Sequence, residues 1–226
     1  MRLKTSAVLT AGAFAVLAFA EWKWPLRKRV AKQGPRFAKN SSMAATSALV
    51  VQWGGGAPAA ARRRDAAAPL RTIVAILLLD YSLWWWHRLN HRVPFLWHFH
   101  RVHHEDPDLD VSTGIRFHPG EMFLASFFRA AQLRVLHVDE RAFTIWQRML
   151  LISILFHHSN LRLPKRVDRA LANVIATPRM HGIHHSNVQE DTDSNFASLF
   201  SWWDWLHGTM RLDREQAEIM IGAPDA

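Results

Sequence analysis

Apolar and polar positions alternate in long blocks along the chain, and this pattern predicts helices. Residues 6–20 form a nearly uncharged apolar run, and residues 69–86 form the strongest run, which ends in three consecutive tryptophans. Residues 121–136 and 142–156 are two further apolar stretches, joined by a short polar segment. These last two predict a helical hairpin whose ends return to the same side. We therefore expect an all-α fold.

The same runs predict a membrane protein. About 18 apolar residues are enough to cross the hydrocarbon core of a bilayer, and residues 69–86 provide them. Residues 6–20 could instead be a signal peptide, since Ala18–Ala20 looks like a cleavage site. The aromatic and basic residues that follow, within 22–39, favour a retained anchor helix. Residues 41–61 are weaker, and predict either a second, irregular span or an interfacial segment.

The charges that flank these segments predict their orientation. Cytoplasmic loops of membrane proteins carry an excess of Lys and Arg, which places residues 23–39 in the cytoplasm and, two crossings later, His87 as well. Arg62–Arg64 would then lie outside, against the same rule. We expect a multi-pass integral membrane bundle in which residues 1–61 are anchor segments and a basic loop. Residues 62–226 are expected to form the main domain, with a histidine-rich helical cap on the cytoplasmic face.

Composition narrows the chemistry that this chain can support. Lys and Arg number 28 against 19 Asp and Glu, which gives a formal net charge of +9. This excess suggests anionic partners. The basic residues flank apolar segments and form no RNA or DNA motif, so anionic lipid headgroups are favoured and nucleic acid is not expected. The chain has no cysteine, so any metal must be held by nitrogen and oxygen.

Histidine is the residue that points to a specific site. The chain has 14 histidines, and most fall into four tight clusters: His87 with His91; His100 with His103 and His104; His157 with His158; and His181 with His184 and His185. Positions three or four apart lie on one face of a helix, so each cluster can present neighbouring imidazoles to a metal ion. Two copies of His-x-x-His-His supply more nitrogens than one ion can hold. The sequence therefore predicts a two-metal site. His98, His137 and His207 stand outside the pattern.

The order of these motifs resembles the fatty acid hydroxylase/sterol desaturase superfamily of membrane non-haem di-iron enzymes. The resemblance covers residues 80–209. Two positions depart from the usual pattern: Ala197 stands where the family usually has glycine, and His207 where it has an aromatic residue. The motifs that carry the resemblance are Asp80-Tyr81 with His87 and His91, Leu96–His104, Arg116–Glu121, Phe156 with His158 and Asn160, Thr177–His185, and Asn195–Thr209.

The resemblance implies the metal ligands and the residues around them. The implied ligands are His87, His91, His100, His103, His104, His158, His181, His184 and His185, with His118 as a less certain tenth. Asp80, Asn160 and Asn195 are predicted as catalytic residues beside the metal. Carboxylate and amide side chains can orient a ligand imidazole through its second nitrogen, and the candidates for that role are Asp80, Glu121, Asp193, Asn195 and Asp204.

The activity that the resemblance implies is oxygen chemistry on a lipid. Two iron ions, with zinc as an alternative occupant, would support O2-dependent hydroxylation or desaturation of a fatty acyl chain or sterol by the domain at 62–226. Because the sequence has no dinucleotide fingerprint or haem-attachment motif, a separate electron donor of the ferredoxin or cytochrome b type is implied. A zinc-dependent lipid hydrolase is an alternative, although such enzymes normally add carboxylate ligands. A non-enzymatic membrane metal-binding or transport protein is another.

Overall fold

Prolines and capping side chains mark where several helices of the computed structural model begin. The structure describes residues 2–54 and 69–224. Pro94, Pro119 and Pro178 each occupy a first helical turn, where the missing N–H of proline costs nothing. Asp139 and Thr177 cap the helices that follow them, because their side chains accept from the backbone N–H three residues further on.

The described residues form an all-helical structure, as the sequence predicted. Short connections join most of the helices, and the isolated β-bridges are single pairs such as Pro25 with Leu161. The elements are α1 (Arg2–Lys23), α2 (Gln33–Gly54), α3 (Pro69–Arg92), α4 (Pro94–His104), a 3-10 turn (Thr113–Ile115), α5 (Pro119–Val135), α6 (Glu140–His158), α7 (Lys165–Leu171), α8 (Pro178–His184), α9 (Gln189–Thr192) and α10 (Trp202–His207).

The main apolar core lies where α3, α5 and α6 meet. The two predicted apolar stretches form the helices α5 and α6, and α3 packs along α6. Burial of such side chains contributes roughly 25 cal/mol per Å² of apolar surface. The core residues are Ala75, Leu79, Leu133, Val138, Ala142, Phe143, Trp146, Leu150 and Leu199. A second cluster, built on Trp84, Met180 and Phe196, lies beneath the histidine-bearing helices.

The N-terminal helices pack directly on this core. Helix α1 contacts α6, and α2 contacts α5 and the 3-10 turn. Near the end of α1, the buried carboxylate of Glu21 accepts from the backbone N–H groups of Val111 (3.0 Å) and Asn160 (2.8 Å). Residues 1–61 were predicted as a separate anchor unit, and that boundary stays a prediction. The described part of this segment nevertheless shares its contacts with the rest of the protein.

The structure bears on those predicted membrane spans that lie within the described residues. Within residues 2–54 and 69–224, no helix combines the length and the apolar character needed to cross a bilayer. Part of the weaker predicted span at 41–61, and all of Arg62–Arg64, lie outside the described residues. The predicted multi-pass topology and its cytoplasmic orientation therefore stay predictions.

Candidate metal centre

Four helices bring the histidine clusters to one place. His87 and His91 lie one turn apart near the end of α3, and α4 carries the next cluster on its last turn and a half. Helix α6 ends at His158, and α8 carries His181 and His184 with His185 directly after it. Because α3, α4, α6 and α8 converge at these ends, residues up to about 100 positions apart in sequence become neighbours.

The nine histidines predicted as ligands form two groups. In each group, one nitrogen of every member lies within 4.8 Å of those of all the others. Metal–nitrogen bonds are about 2.0–2.1 Å long, so nitrogens on opposite sides of one ion stand about 4.2 Å apart. Each group is therefore close to the size that one ion requires. The first group is His87, His91, His100, His104 and His184, and the second is His103, His158, His181 and His185.

Burial keeps these imidazoles in the form that binds metal. His87 is 8% exposed, and His104, His184 and His185 are fully buried. Desolvation, with neighbouring histidines adding to it, lowers the pKa of His87 to about 3. The same causes lower the pKa of His104 and His185 well below the usual range. A neutral imidazole retains a lone pair for a cation.

Hydrogen bonds to the outer nitrogen show which tautomer several ligands adopt. A carbonyl oxygen can only accept, so the Nδ1 that faces it must carry the proton and the Nε2 of the same ring must carry the lone pair. Four ligands make this contact: His87 to Phe196 O (2.7 Å), His103 to Arg116 O (2.8 Å), His158 to Ile154 O (2.8 Å) and His184 to Ser194 O (2.7 Å).

The resulting lone pairs face each other in both groups. The Nε2 atoms of His103 and His158 are 3.0 Å apart, and those of His87 and His184 are 3.1 Å apart. With both Nδ1 atoms protonated, neither pair can form a hydrogen bond, so the contact is repulsive without a cation. In addition, both ring nitrogens of His91 and His104 lack a hydrogen-bond partner among the described residues. The donor set therefore fits one metal ion in each group.

Two carboxylates support the candidate ligands: Glu121 contacts an imidazole nitrogen, whereas Asp204, which was expected to do the same, contacts backbone N–H groups instead. Glu121 Oε1 accepts from His100 Nδ1 at 2.8 Å. Asp204 acts one step further out: it accepts from the N–H groups of Phe196 and Ala197, both at 2.9 Å. These contacts hold the Phe196 carbonyl that accepts from His87. Partners of this kind fix the orientation of a ligand ring and raise its basicity.

The three residues predicted as catalytic lie elsewhere in the hydrogen-bond network. Asp80 accepts from Phe200 N (3.1 Å) and Trp203 Nε1 (2.8 Å), and thereby ties α3 to the start of α10. Asn160 exchanges hydrogen bonds with the backbone of Arg27. The partners of Asp80 and Asn160 are thus backbone groups and an indole N–H, and not an imidazole.

The hydrogen bonds of Asn195 and Asp193 also go to groups other than imidazoles. Asn195, which has a positive φ of 52°, donates to the carbonyls of Met180 and Arg211 and so holds the turn before Phe196. Asp193 accepts from Gln189 at 3.1 Å. Their expected role in orienting imidazoles is not supported by these contacts. Both close a loop beside the site.

The remaining histidines lie outside both groups. His118, predicted as a tenth ligand, is outside both groups; its Nδ1 accepts from Gly120 N at 3.0 Å and caps α5. His207 stacks on Trp84 at 4.2 Å. His157 was not predicted, yet it is buried with its ring 4.2 Å from that of His181. No spacing rule distinguishes it from His158, since only the helix orientation decides which ring joins the group.

An apolar cavity of about 400 Å³ opens beside both groups. Its histidine wall includes members of each group, among them His87 and His103, and its other walls are mainly aliphatic and aromatic side chains of α3, α5 and α6. Helices α1 and α2 close one side with Thr10, Ala44 and Ser47. The cavity thus joins a mainly apolar space to histidines of both groups.

The fold and site define a helical protein with two buried histidine groups that could each hold a metal ion. The sequence profile of the fatty acid hydroxylase family matches residues 72–209, more than half of the chain. The chain therefore belongs to the fatty acid hydroxylase family, and the resemblance seen in its motifs is confirmed. Comparison with curated proteins gave no match, and comparison with solved structures gave none either.

Proposed function

We propose that this protein is a di-iron oxygenase that hydroxylates or desaturates a C–H bond of a lipid chain. One observation carries the proposal: histidines of both metal groups form a wall of the same apolar cavity. A merely structural cavity would have no reason to place imidazoles of both metal groups beside a space for hydrocarbon. Membership of the fatty acid hydroxylase family supports the same reaction class.

The residues of the chain divide the work between holding metal and holding substrate. The nine histidines would hold two iron ions, and these ions, when bound, would supply the means to activate O2. Glu121 and the Phe196 carbonyl keep the His100 and His87 rings in place. The apolar side chains of α3, α5 and α6 exclude water and hold the lipid against the histidine wall, which favours reaction with substrate over side reactions.

Electrons must come from another protein. Each turnover of such a reaction consumes two electrons, and this chain carries no motif for a nicotinamide, flavin or covalently attached haem cofactor. A ferredoxin or a cytochrome b-type protein fits this need. The donor set of nitrogen alone suits iron, and zinc would also be accepted by the same ligands.

Association with a membrane is part of the proposal, because a long-chain substrate is stored there. Helix α1 exposes large apolar side chains, including Val16 (67%), Phe19 (60%) and Trp22 (65%). The basic segment 23–39 follows directly and would favour anionic headgroups. Flotation with vesicles of neutral and anionic lipid tests this point: we expect binding that strengthens with anionic lipid. Protein that stays at the bottom of the gradient with both would contradict it.

Oxygen uptake and product analysis test the function itself. Iron-loaded protein, supplied with a reduced ferredoxin and a mixture of acyl lipids, should consume O2 and yield hydroxylated or unsaturated products visible by mass spectrometry. The variant His104→Ala should give neither, whereas His98→Ala, an exposed position on the same helix, should behave as wild type. Zinc-loaded protein that cleaves lipid esters without O2 would refute the oxygenase and support the hydrolase alternative.

A further inference from the structure

One charged side chain in the apolar cavity, Arg129, makes no contact with the histidine groups. Besides the histidines, the charged residues that line the cavity are Glu121 and Arg129. Glu121 is engaged by His100 at 2.8 Å. Arg129 lies on the same helix, in a wall otherwise built from side chains such as Phe128 and Leu150. A charge in apolar surroundings is costly unless it is paired.

The contacts of Arg129 leave most of its donors free to meet a ligand. One guanidinium nitrogen donates to the side-chain oxygen of Gln132, and the group lies 4.2 Å above the ring of Trp146. Both partners are neutral, and a guanidinium has five N–H donors. Asp80 attracts Arg129 through space; the two hydrogen bonds that its carboxylate accepts, from Phe200 and Trp203, both go to Oδ2, and its Oδ1 has no hydrogen-bond partner among the described residues.

The surroundings hold the guanidinium in one position. Gln132, which accepts from it, also donates to Ser82 Oγ (2.5 Å) on α3, while Trp146 belongs to α6. The charged group is therefore fixed between α3, α5 and α6. A planar, fixed guanidinium matches the two oxygens of a carboxylate through a pair of parallel hydrogen bonds.

We propose that Arg129 binds the carboxylate of a free long-chain fatty acid whose hydrocarbon chain extends along the cavity to the histidines. The inference rests on the proposed function for the identity of the chain, although the anion site itself needs no metal. It selects acids over esters and other uncharged lipids of the same length. Arg129 is then a specificity-determining residue that touches substrate.

The position of Arg129 on α5 also orients the substrate. Glu121, which contacts a metal-ligand histidine, lies eight residues before Arg129, or about 12 Å along the helix axis at 1.5 Å per residue. A carboxylate held at Arg129 therefore places a carbon in the interior of the chain near the metal groups. We expect the modified carbon to lie several bonds from the carboxylate, and modification at carbon 2 would overturn this orientation.

Equilibrium binding without turnover tests the anion site. The probe is hexadecanoic acid with a quenching nitroxide on its chain, which quenches tryptophan fluorescence; unlabelled hexadecanoic acid and its methyl ester then displace it. O2 and electron donor are left out. Wild type should bind the acid about 10- to 100-fold more tightly than the ester, as expected for a charge-assisted pair. R129Q should lose this preference through weaker acid binding alone. R134Q, an exposed arginine on the same helix, should retain it.

Each other outcome also decides the proposal. An acid preference that persists in R129Q, or equal affinities in wild type, overturns it, as does equal weakening of acid and ester in a folded R129Q. If R129Q does not fold, R129K replaces it: its ammonium should weaken the acid several-fold and spare the ester, and unchanged acid affinity overturns the site. An Arg129-dependent acid preference without any oxygenated product would refute the proposed function and leave the anion site standing. Equal turnover of acid and ester would refute the anion site and leave the proposed function standing.

Discussion

Replacing Arg36 by methionine should destabilise the protein strongly, because Arg36 neutralises a cluster of buried carboxylates. Its guanidinium donates to Asp106 (2.6 and 2.9 Å) and to Asp110 (2.7 Å). Arg36 is 7% exposed, and Asp106, Asp108 and Asp110 are each at most 5% exposed. These contacts bind the start of α2 to the loop that follows the ligand-bearing α4.

The size of the effect follows from the carboxylates that stay buried after their cationic partner is removed. Removal of one partner from a buried ion pair typically costs about 3–5 kcal/mol, because the other charge stays buried and uncompensated. For a protein of this length, each kcal/mol lowers the melting temperature by roughly 2–4 °C. We therefore expect R36M to melt about 6–20 °C below wild type at pH 7.

The pH dependence gives a second signature of the same cause. Burial raises the pKa of Asp110, but the hydrogen bond and charge of Arg36 outweigh burial and hold that pKa below its usual value. In wild type the resulting stabilisation is lost as the pH falls through the lowered pKa. Without Arg36, only the hydrogen bonds from Ser112 still oppose burial, so the pKa of Asp110 in the folded variant rises above its wild-type value. The deficit of R36M should therefore shrink between pH 7 and pH 4.

Thermal unfolding followed by circular dichroism at several pH values measures both signatures. Lys39→Met is the matched control, since Lys39 is an exposed cation one turn further along α2. Its melting temperature should stay close to that of wild type. A melting temperature for R36M equal to that of K39M, or a deficit that grows as the pH falls, would refute the reasoning about buried carboxylates.

Three further predictions concern the site and its supports. His104→Ala should lower the metal content of the purified protein while His98→Ala leaves it unchanged; equal metal content in the two variants, by elemental analysis, would remove His104 from the ligands. Glu121→Gln should weaken iron binding about 10- to 100-fold by releasing His100. The control Glu105→Gln, which breaks a surface pair with Arg101 (2.9 Å), should leave iron binding unchanged. Metal titration distinguishes the two variants. Gly182→Ala should cost about 1–3 kcal/mol, because its Cβ would collide with the buried Arg27 and Gln216, while Gly34→Ala, with open space around it, should be neutral in chemical denaturation.

The histidine groups were predictable because their spacing and their count carry the information. Positions three and four apart on a helix share a face, and two His-x-x-His-His copies are too many for one ion, so spacing indicated the clusters. The family resemblance then supplied the nine residues, including the choice of His158 over His157. The two helices at 121–136 and 142–156 were visible for a similar reason: long, mainly apolar runs. Composition alone excluded thiolate ligands.

Other parts of the site depend on contacts that no local pattern records. Asp80 looked catalytic because it interrupts an apolar run, yet the fold gives it the indole of Trp203 to bind. The carbonyl of Phe196, which sets the tautomer of His87, belongs to a loop more than 100 residues away. Arg36 and Asp106 are 70 positions apart. Such pairings arise only when the helices pack.

The count of metal ions per chain tests the central claim most directly. Anaerobic titration of metal-free protein with Fe²⁺, followed by removal of free metal and elemental analysis, measures this count. We predict about two irons per chain in wild type, because each histidine group offers facing lone pairs that require a cation. One ion per chain, or none, would contradict the account of a paired metal centre.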